Sequence, residues 1–284
     1  MSSTEPRQDS FFAGGLKWQR YTRAARDGTG AEHPYPPVVI LHGLFGSGDN
    51  WRSHAQSLAA ERDVLVPDMP GHGVSMHPPS YRYTALAEIV LEALEELGLA
   101  TEGRPVSLLG HSMGGKVAMA IAFARPEAVD GLIIADIAPR EYPPRHDEIF
   151  SAMDYVAEAR PASRSEADTL LARYIPERSI RLFLLKSLVS GDDGYRWQLD
   201  LPGLRSGYDE IRGWPFTDEV YPHRALIIAG GESPYITDRD GEVIKHHLPE
   251  VRIERIPDVG HWLHVEGRNR FLSLVNSELH DSVV

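Results

Sequence analysis

Short runs of consecutive apolar residues recur along the chain, with few polar residues at alternate positions. They are Val38–Leu41, Val64–Val66, Val106–Leu109, Gly131–Ala135 and Ala225–Ala229. Continuous apolar character predicts strands that helices cover on both faces, as in a mainly parallel sheet. Residues 251–256 predict one more strand, and residues 16–21 predict an antiparallel strand at the edge of the sheet.

Helical periodicity lies between these runs. From Thr84 to Leu97 the apolar residues recur with the 3.6-residue spacing of a half-buried helix, with Thr84 as its predicted cap and Gly98 at its end. Further helices are predicted from Met113 to just before Pro126, and over residues 268–279. Alternating strands and helices predict an α/β fold with a doubly wound, mostly parallel sheet.

The spacing of core strands breaks once, between Asp136 and Arg224. This stretch is helical in character and rich in Pro, Arg and aromatic residues. We expect residues 139–223 to form a helical cap, or lid, inserted after the sixth strand at the edge where such sheets bind ligands. Residues 15–138 and 224–284 would then form the core, and residues 1–14 a flexible N-terminus. The alternative is a separate helical domain with no role at the site.

Composition excludes several classes of function. The 284 residues carry 29 basic and 41 acidic side chains, a net charge of -12, without a dense basic patch. We therefore expect no nucleic-acid partner. No apolar run approaches the ~20 residues of a membrane span, and the first ten residues do not resemble a secretory signal. The expectation is a cytoplasmic protein without a membrane partner, either a monomer or a small homo-oligomer.

Metal binding is also not expected. The chain has no cysteine, which excludes thiolate ligands and disulfides. Among its 13 histidines, His246 and His247 are adjacent and do not converge on one ion, and no H-E-x-x-H motif occurs.

The strongest chemical signal is Gly110-His-Ser-Met-Gly-Gly115, which follows a predicted strand and opens a predicted helix. This is the context of a G-x-S-x-G nucleophile elbow, in which a sharp turn presents the serine hydroxyl above the sheet. Glycines at 110 and 114 would let the strand and the helix approach closely. The pattern predicts Ser112 as a catalytic nucleophile.

A glycine-rich loop, Leu41-His-Gly-Leu-Phe-Gly-Ser-Gly-Asp-Asn-Trp51, follows another strand. Acyl transfer needs two preorganised N–H donors for the oxyanion of its tetrahedral intermediate. The candidates are the N–H groups of Leu44 and Met113, with Phe45 as the neighbouring option. A phosphate-binding loop is the alternative, but neither G-x-G-x-x-G nor a Walker lysine is present.

A serine hydroxyl needs a base to take its proton, and histidine suits that role near neutral pH. His261 follows the last strand and lies downstream of Ser112, which fits the order serine, acid, histidine. His42, His72, His111 and His264 are predicted to be structural or to line the pocket. His42 would shape the glycine-rich loop by hydrogen bonds.

The acidic member of the triad stays open between candidates. The turn after the strand ending near Ala229 reads Gly230-Gly-Glu-Ser-Pro-Tyr235, with Ser233 at the place where an aspartate is usual. Asp136 offers a carboxylate at the end of the previous core strand. We favour Asp136, with Ser233 second and Asp238 or another carboxylate third. The alternative role for Asp136 is to hold the following turn by hydrogen bonds.

With these residues in place, the chain resembles the α/β-hydrolase superfamily and, within it, the YbfF-type esterases. The resemblance rests on the two motifs above, on Pro67-Asp-Met-Pro-Gly-His-Gly73, on Asp136-Ile-Ala-Pro139 and on Gly260-His-Trp-Leu-His264. Cap stretches Arg145–Phe150 and Phe183–Ser187 are less generic. The resemblance implies hydrolysis of carboxylic esters, with acyl thioesters such as acyl-CoA also considered, and no cofactor.

The substrate would then be a small to medium acyl ester held by residues around Ser112. The candidates are His42, Phe45, Phe183 and Trp262. Phe183, Trp197 and Tyr208 are expected to control the acceptable chain length. In the cap stretch Arg145–Phe150, Asp147 and Glu148 are expected to cap and charge the start of a helix, and the alternative is a substrate contact by Arg145 or His146. Other readings are a serine hydrolase acting on lactones or C–C bonds, a perhydrolase, and a non-catalytic binding protein of the same fold.

Overall fold

The structure, a computed structural model, describes residues 6–22 and 35–281. Its strands are β1 (Arg7–Ala13), β2 (Leu16–Thr22), β3 (Val38–Leu41), β4 (Val64–Pro67), β5 (Val106–His111), β6 (Val129–Ala135), β7 (Leu188–Gly191), β8 (Gly194–Trp197), β9 (Ala225–Gly230) and β10 (Val251–Ile256). Eight of them form one sheet in the order β1-β2-β4-β3-β5-β6-β9-β10. The sheet is parallel from β4 to β10, while β2 runs antiparallel to both its neighbours.

Helices of the core cover both faces of this sheet, and further helices belong to the insertion between β6 and β9. They are α1 (Arg52–Leu58), α2 (Tyr83–Glu96), α3 (Met113–Ala124), α4 (Asp147–Ala159), α5 (Arg164–Leu171), α6 (Arg178–Leu184), α7 (Leu201–Ser206), α8 (Tyr208–Arg212), α9 (Gly241–His247), α10 (Leu263–Glu266) and α11 (Arg268–Asp281). Alternate residues of β3 enter different cores: Val39 packs with the residues of α2 and α3, and Val38 with those of α1 and α11. The continuous apolar runs follow from this two-sided burial.

The predicted α/β fold class is confirmed, and so are the strand at 251–256 and the helix that ends before Pro126. The predicted cap at Thr84 is wrong. Helix α2 begins at Tyr83 after Arg82, which makes no side-chain cap hydrogen bond.

The prediction for the N-terminus is also corrected. Residues 7–13, assigned to a flexible N-terminus, form β1 and pair along the whole of β2, so β2 is the second strand and not the edge. Gly14 and Gly15, both at positive φ, make the tight turn between them. The exposed polar face of β1 hid this strand from the apolar pattern. Residues 1–5 lie outside the described ranges.

Helices α4 to α8 lie between β6 and β9, after the sixth strand as predicted. The sequence did not predict the β7–β8 hairpin within this insertion. Hydrogen bonds between the insertion and loops of the core include two close to the ends of β3 and β4: Ser187 Oγ donates to the carbonyl of Phe45 at 3.1 Å, and Asp200 N–H donates to the carbonyl of Gly71 at 2.8 Å. The insertion therefore rests on loops that follow β3 and β4. In the described ranges, no helix has the length and apolar content to cross a bilayer.

Candidate active site

Ser112 occupies a sharp turn between β5 and α3. Its backbone has φ 53° and ψ -120°, a conformation that L residues rarely adopt. The turn requires glycines on both sides, because a Cβ at Gly110 would lie 2.3 Å from the carbonyl oxygen of Gly114, and one at Gly114 2.2 Å from that of Leu41. Packing of β5, α3 and the loop after β3 thus holds the serine in a strained position, as a nucleophile elbow requires.

Asp136, directly after β6, pairs with His261, which lies in the loop after β10. The His261 side chain is 20% exposed and that of Asp136 is fully buried, with Nδ1 of the histidine 2.7 Å from Oδ2 of the aspartate. A carboxylate can only accept, so the ring proton lies on Nδ1 and Nε2 keeps the lone pair of a base. Tyr235 stacks on the His261 ring with 3.9 Å between centroids.

The other acid candidates occupy different places. Ser233 makes no hydrogen bond to the His261 ring in the described structure; its hydroxyl donates to Oδ2 of Asp136. The N–H of Gly230 donates to Oδ1 of the same carboxylate at 2.9 Å. Asp238 is exposed and lies 3.4 Å from Arg255. Asp136 therefore accepts hydrogen bonds from His261, Gly230 and Ser233, and of the three candidates it is the one that pairs with the His261 ring.

Two buried histidines shape the glycine-rich loop. His42 donates from Nδ1 to the carbonyl of Gly43 at 2.9 Å and accepts the N–H of Met69 on Nε2 at 2.9 Å. His72 accepts the N–H of Phe45 on Nε2 at 3.1 Å. The Phe45 N–H is therefore engaged, which removes it as an oxyanion donor. His42 acts on the loop through hydrogen bonds, as the sequence predicted.

The remaining oxyanion candidates keep their donors available. Within residues 6–22 and 35–281, the N–H groups of Leu44 and Met113 have no hydrogen-bond acceptor. Both residues line a cavity shared with Ser112. Met113 also opens α3, so its N–H belongs to the electropositive end of a helix. Two free donors at this place suit a developing oxyanion.

Burial keeps the surrounding histidines neutral. It lowers the pKa of His42 to about 4 and that of His72 to about 3. Burial and the neighbouring His261 lower the pKa of His111 to about 3, and His111 Nε2 lies 2.9 Å from the carbonyl of His261. These rings act as fixed hydrogen-bonding and packing groups, whereas His261 is partly exposed and lines the same cavity as Ser112.

A small cavity of about 60 Å³ opens on Ser112 and His261. Its walls come from the glycine-rich loop, from α4 and α6 of the insertion, and from Trp262. The four predicted substrate contacts all line it: His42, Phe45, Phe183 and Trp262. The rings of Phe183 and Trp262 lie 5.7 Å apart and close one side.

A second cavity of about 40 Å³ reaches Ser112 from the side of α3. Tyr208 and Ile211 of α8 line it together with Tyr142 and Tyr235. Trp197, expected to control chain length, lines neither cavity; it is buried and donates its Nε1 hydrogen to the carbonyl of Met153 at 2.8 Å. The apolar core of the cap favours a buried indole ring, which explains the position of Trp197. Of the three residues expected to control chain length, Phe183 and Tyr208 line the two cavities.

Sequence reasoning missed two contributors, Tyr235 and Lys116, and it did not predict the contact that His72 makes. Tyr235 lies in the turn of residues 230–235 after β9, but no feature of the neighbouring sequence predicts that its ring stacks on His261. His72 controls the Phe45 N–H across 27 residues. Lys116 lines the second cavity although its helix position resembles a solvated one. No set of three or more His, Asp or Glu side chains in the described part of the chain is placed to hold a metal ion.

Comparisons with known proteins identify the family. The profile of the α/β hydrolase fold family matches residues 36–268. The chain is 34% identical to esterase YbfF of Escherichia coli over 88% of its length and 95% of that protein. It is 35% identical to the sn-1-specific diacylglycerol lipase ABHD11 of Mus musculus, covering 86% of this chain and 81% of the other.

A solved structure of a marine microorganism esterase is also similar. It superposes with a TM-score of 0.84 at 33% identity, covering 93% of this chain and 98% of the other. The match extends through the inserted helices as well as the sheet, since so much of both chains is covered. The chain belongs to the α/β-hydrolase family.

Proposed function

We propose that this protein is a serine carboxylesterase that hydrolyses small to medium acyl esters through an acyl-enzyme. The observation that carries the proposal is the buried Asp136 carboxylate 2.7 Å from Nδ1 of His261, whose ring lines the same cavity as Ser112. The relatives named esterase and lipase support the same bond type.

In the proposed reaction Ser112 Oγ attacks the acyl carbon while Nε2 of His261 takes its proton. Asp136 keeps the imidazole in the correct tautomer and stabilises the imidazolium by its charge. The N–H groups of Leu44 and Met113 bind the oxyanion, and His261 returns the proton to the leaving alcohol. Water, activated by the same histidine, then releases the acid and regenerates the serine.

The cavity size supports small acyl groups. The space of about 60 Å³ beside Ser112 is closed on one side by the aromatic rings of Phe183 and Trp262. We propose that residues 139–223 act as the cap that forms this space and shields the reaction from water. Acyl thioesters present the same acyl carbon to Ser112 and fall within the proposal.

The test combines a fluorophosphonate probe with turnover of p-nitrophenyl butyrate. The wild-type protein should release p-nitrophenol and take up the probe on Ser112, and Ser112→Ala should do neither at equal fold. Matched assays with butyryl-CoA would measure the thioester activity. Wild-type protein that neither turns over any ester nor takes up the probe would contradict the proposal and favour a binding protein.

A further inference from the structure

Lys116 is a buried lysine outside the proposed catalytic triad. It lies one helical turn after Ser112 on α3, and the residue is 1% exposed. Lysine is almost never fully buried without strong partners, because removing an ammonium from water is costly. Burial, followed by the nearby Arg140, lowers the pKa of Lys116 to about 7. Contacts within the folded protein must therefore compensate for the lost hydration of the ammonium.

Its hydrogen-bond partners are backbone carbonyls. Nζ donates to the carbonyl of Arg212 at 3.1 Å and to that of Gly213 at 2.7 Å. These residues mark the end of α8, where the inserted segment returns toward β9. A cation at the C-terminal end of a helix satisfies carbonyls that have no partner within the helix.

Aromatic rings surround the same ammonium. Nζ lies 5.2 Å from the ring centre of Tyr83, 5.0 Å from that of Tyr142 and 5.9 Å from that of Trp214. Distances below about 6 Å are those of cation–π attraction. Tyr142 precedes α4 and Trp214 follows α8, so two of the three rings come from the two crossings between core and insertion, while Tyr83 belongs to core helix α2.

The two crossings also bond to each other at this point. The N–H of Tyr142 donates at 2.9 Å to the carbonyl of Arg212, which also accepts from Lys116. Lys116 further lines the second cavity with Ser112 and Met113, opposite Tyr208 and Ile211 of α8. One side chain on the nucleophile helix therefore touches both ends of the insertion and one wall of the site.

We infer that Lys116 is a positioning residue that fixes both crossings of the inserted helical segment on α3 and thereby sets the width of the second cavity. This inference rests on the proposed esterase function. Without the ammonium, the end of α8 loses two donors, and Tyr208 and Ile211 are free to move away from Ser112. Substrate binding then weakens, while the chemistry at Ser112, His261 and Asp136 is retained.

The test begins with Lys116→Met, which keeps the length of the side chain and removes its donors. KM for p-nitrophenyl butyrate should rise about tenfold, the value of one net hydrogen bond, with kcat changed less than about threefold. The preference for short over long esters should also weaken. Lys245→Met, an exposed lysine on α9, is the matched control and should leave both constants unchanged.

Chemical rescue separates positioning from general structure. The chain has no cysteine, so Lys116→Cys carries the only thiol. Alkylation of the unfolded variant with 2-bromoethylamine, in which the thiolate displaces bromide, restores an ammonium of nearly the same length. After refolding, the alkylated protein should recover a KM within about twofold of wild type carried through the same steps, whereas the unalkylated variant should match Lys116→Met.

Other outcomes would overturn the inference. A lower Tm with unchanged KM and unchanged chain-length preference would reduce Lys116 to a stability role, as would absence of rescue. If neither Lys116 variant folds, the test uses Trp214→Leu, which removes one of the rings around Lys116 from a half-buried position. An unchanged KM in Trp214→Leu would overturn the inference. Fluorophosphonate labelling of Ser112 in the same samples reports separately on the esterase proposal.

Discussion

Acidification should destabilise this protein strongly, because folding buries histidines in their neutral form. The pKa of His42 is lowered from 6.5 to about 4 and those of His72 and His111 to about 3, all through burial. In the unfolded chain these rings bind protons as the pH falls through about 6.5, while in the folded chain they do not. The free energy of unfolding is thus highest above about pH 6.5 and decreases as the pH falls below that value.

The magnitude follows from the difference in pKa. At pH 5 each of the three groups can cost up to about 2 kcal/mol, or about 6 kcal/mol together, at 1.36 kcal/mol per pKa unit. Globular proteins are stable by only about 5–15 kcal/mol, so this loss approaches the whole margin. Three more buried histidines are shifted in the same direction: His54, His146 and His264.

Urea denaturation at pH 8, 6 and 5, followed by tryptophan fluorescence, measures the effect. The free energy of unfolding should fall by several kcal/mol between pH 8 and pH 5, and most steeply below pH 6.5. His72→Gln should reduce this pH-dependent part by up to about 2 kcal/mol. His223→Gln, at an exposed histidine, is the control. A flat profile from pH 8 to pH 5, or an equal effect of both substitutions, would refute the reasoning.

Two further predictions concern the site. Asp136→Asn should lower kcat for p-nitrophenyl butyrate by about 10²–10⁴, because the amide cannot stabilise imidazolium by charge. Ser233→Ala should lower kcat by less than about tenfold. A larger loss in Ser233→Ala than in Asp136→Asn would invalidate the assignment of the acid. Phe183→Ala should enlarge the cavity and raise kcat/KM for octanoyl relative to butyryl esters by about tenfold. This change corresponds to about 1.4 kcal/mol, the free energy gained when one to two more methylenes of the acyl chain are buried. Leu182→Ala, exposed on the same helix, should leave that ratio unchanged, and equal ratios in both variants would contradict the role of Phe183.

The core of the fold was predictable because burial leaves a direct trace in the sequence. Strands covered on both faces must be apolar throughout, and helices between them must be amphipathic. β1 escaped this logic because its side chains are largely exposed. The β7–β8 hairpin escaped because two four-residue strands carry too little pattern.

The parts of the site that depend on neighbouring residues in the sequence could be predicted, and those that depend on distant contacts could not. The turn around Ser112 is encoded within six residues, so its geometry was foreseeable. The choice between Asp136 and Ser233 was not, since both follow neighbouring strands and only three-dimensional positions show which side chain meets His261. The loss of the Phe45 N–H to His72 and the burial of Lys116 likewise depend on contacts distant in sequence.

The central claim is an acyl-enzyme on Ser112, and rapid mixing with excess p-nitrophenyl acetate followed by acid quench and peptide mass spectrometry tests it most directly. The account predicts an acetyl group on the peptide that contains Ser112 and none on that peptide in Ser112→Ala. In Asp136→Asn the same adduct should accumulate more slowly. Turnover of the ester by wild type with the acetyl group on another residue, or with full activity retained in Ser112→Ala, would contradict the account.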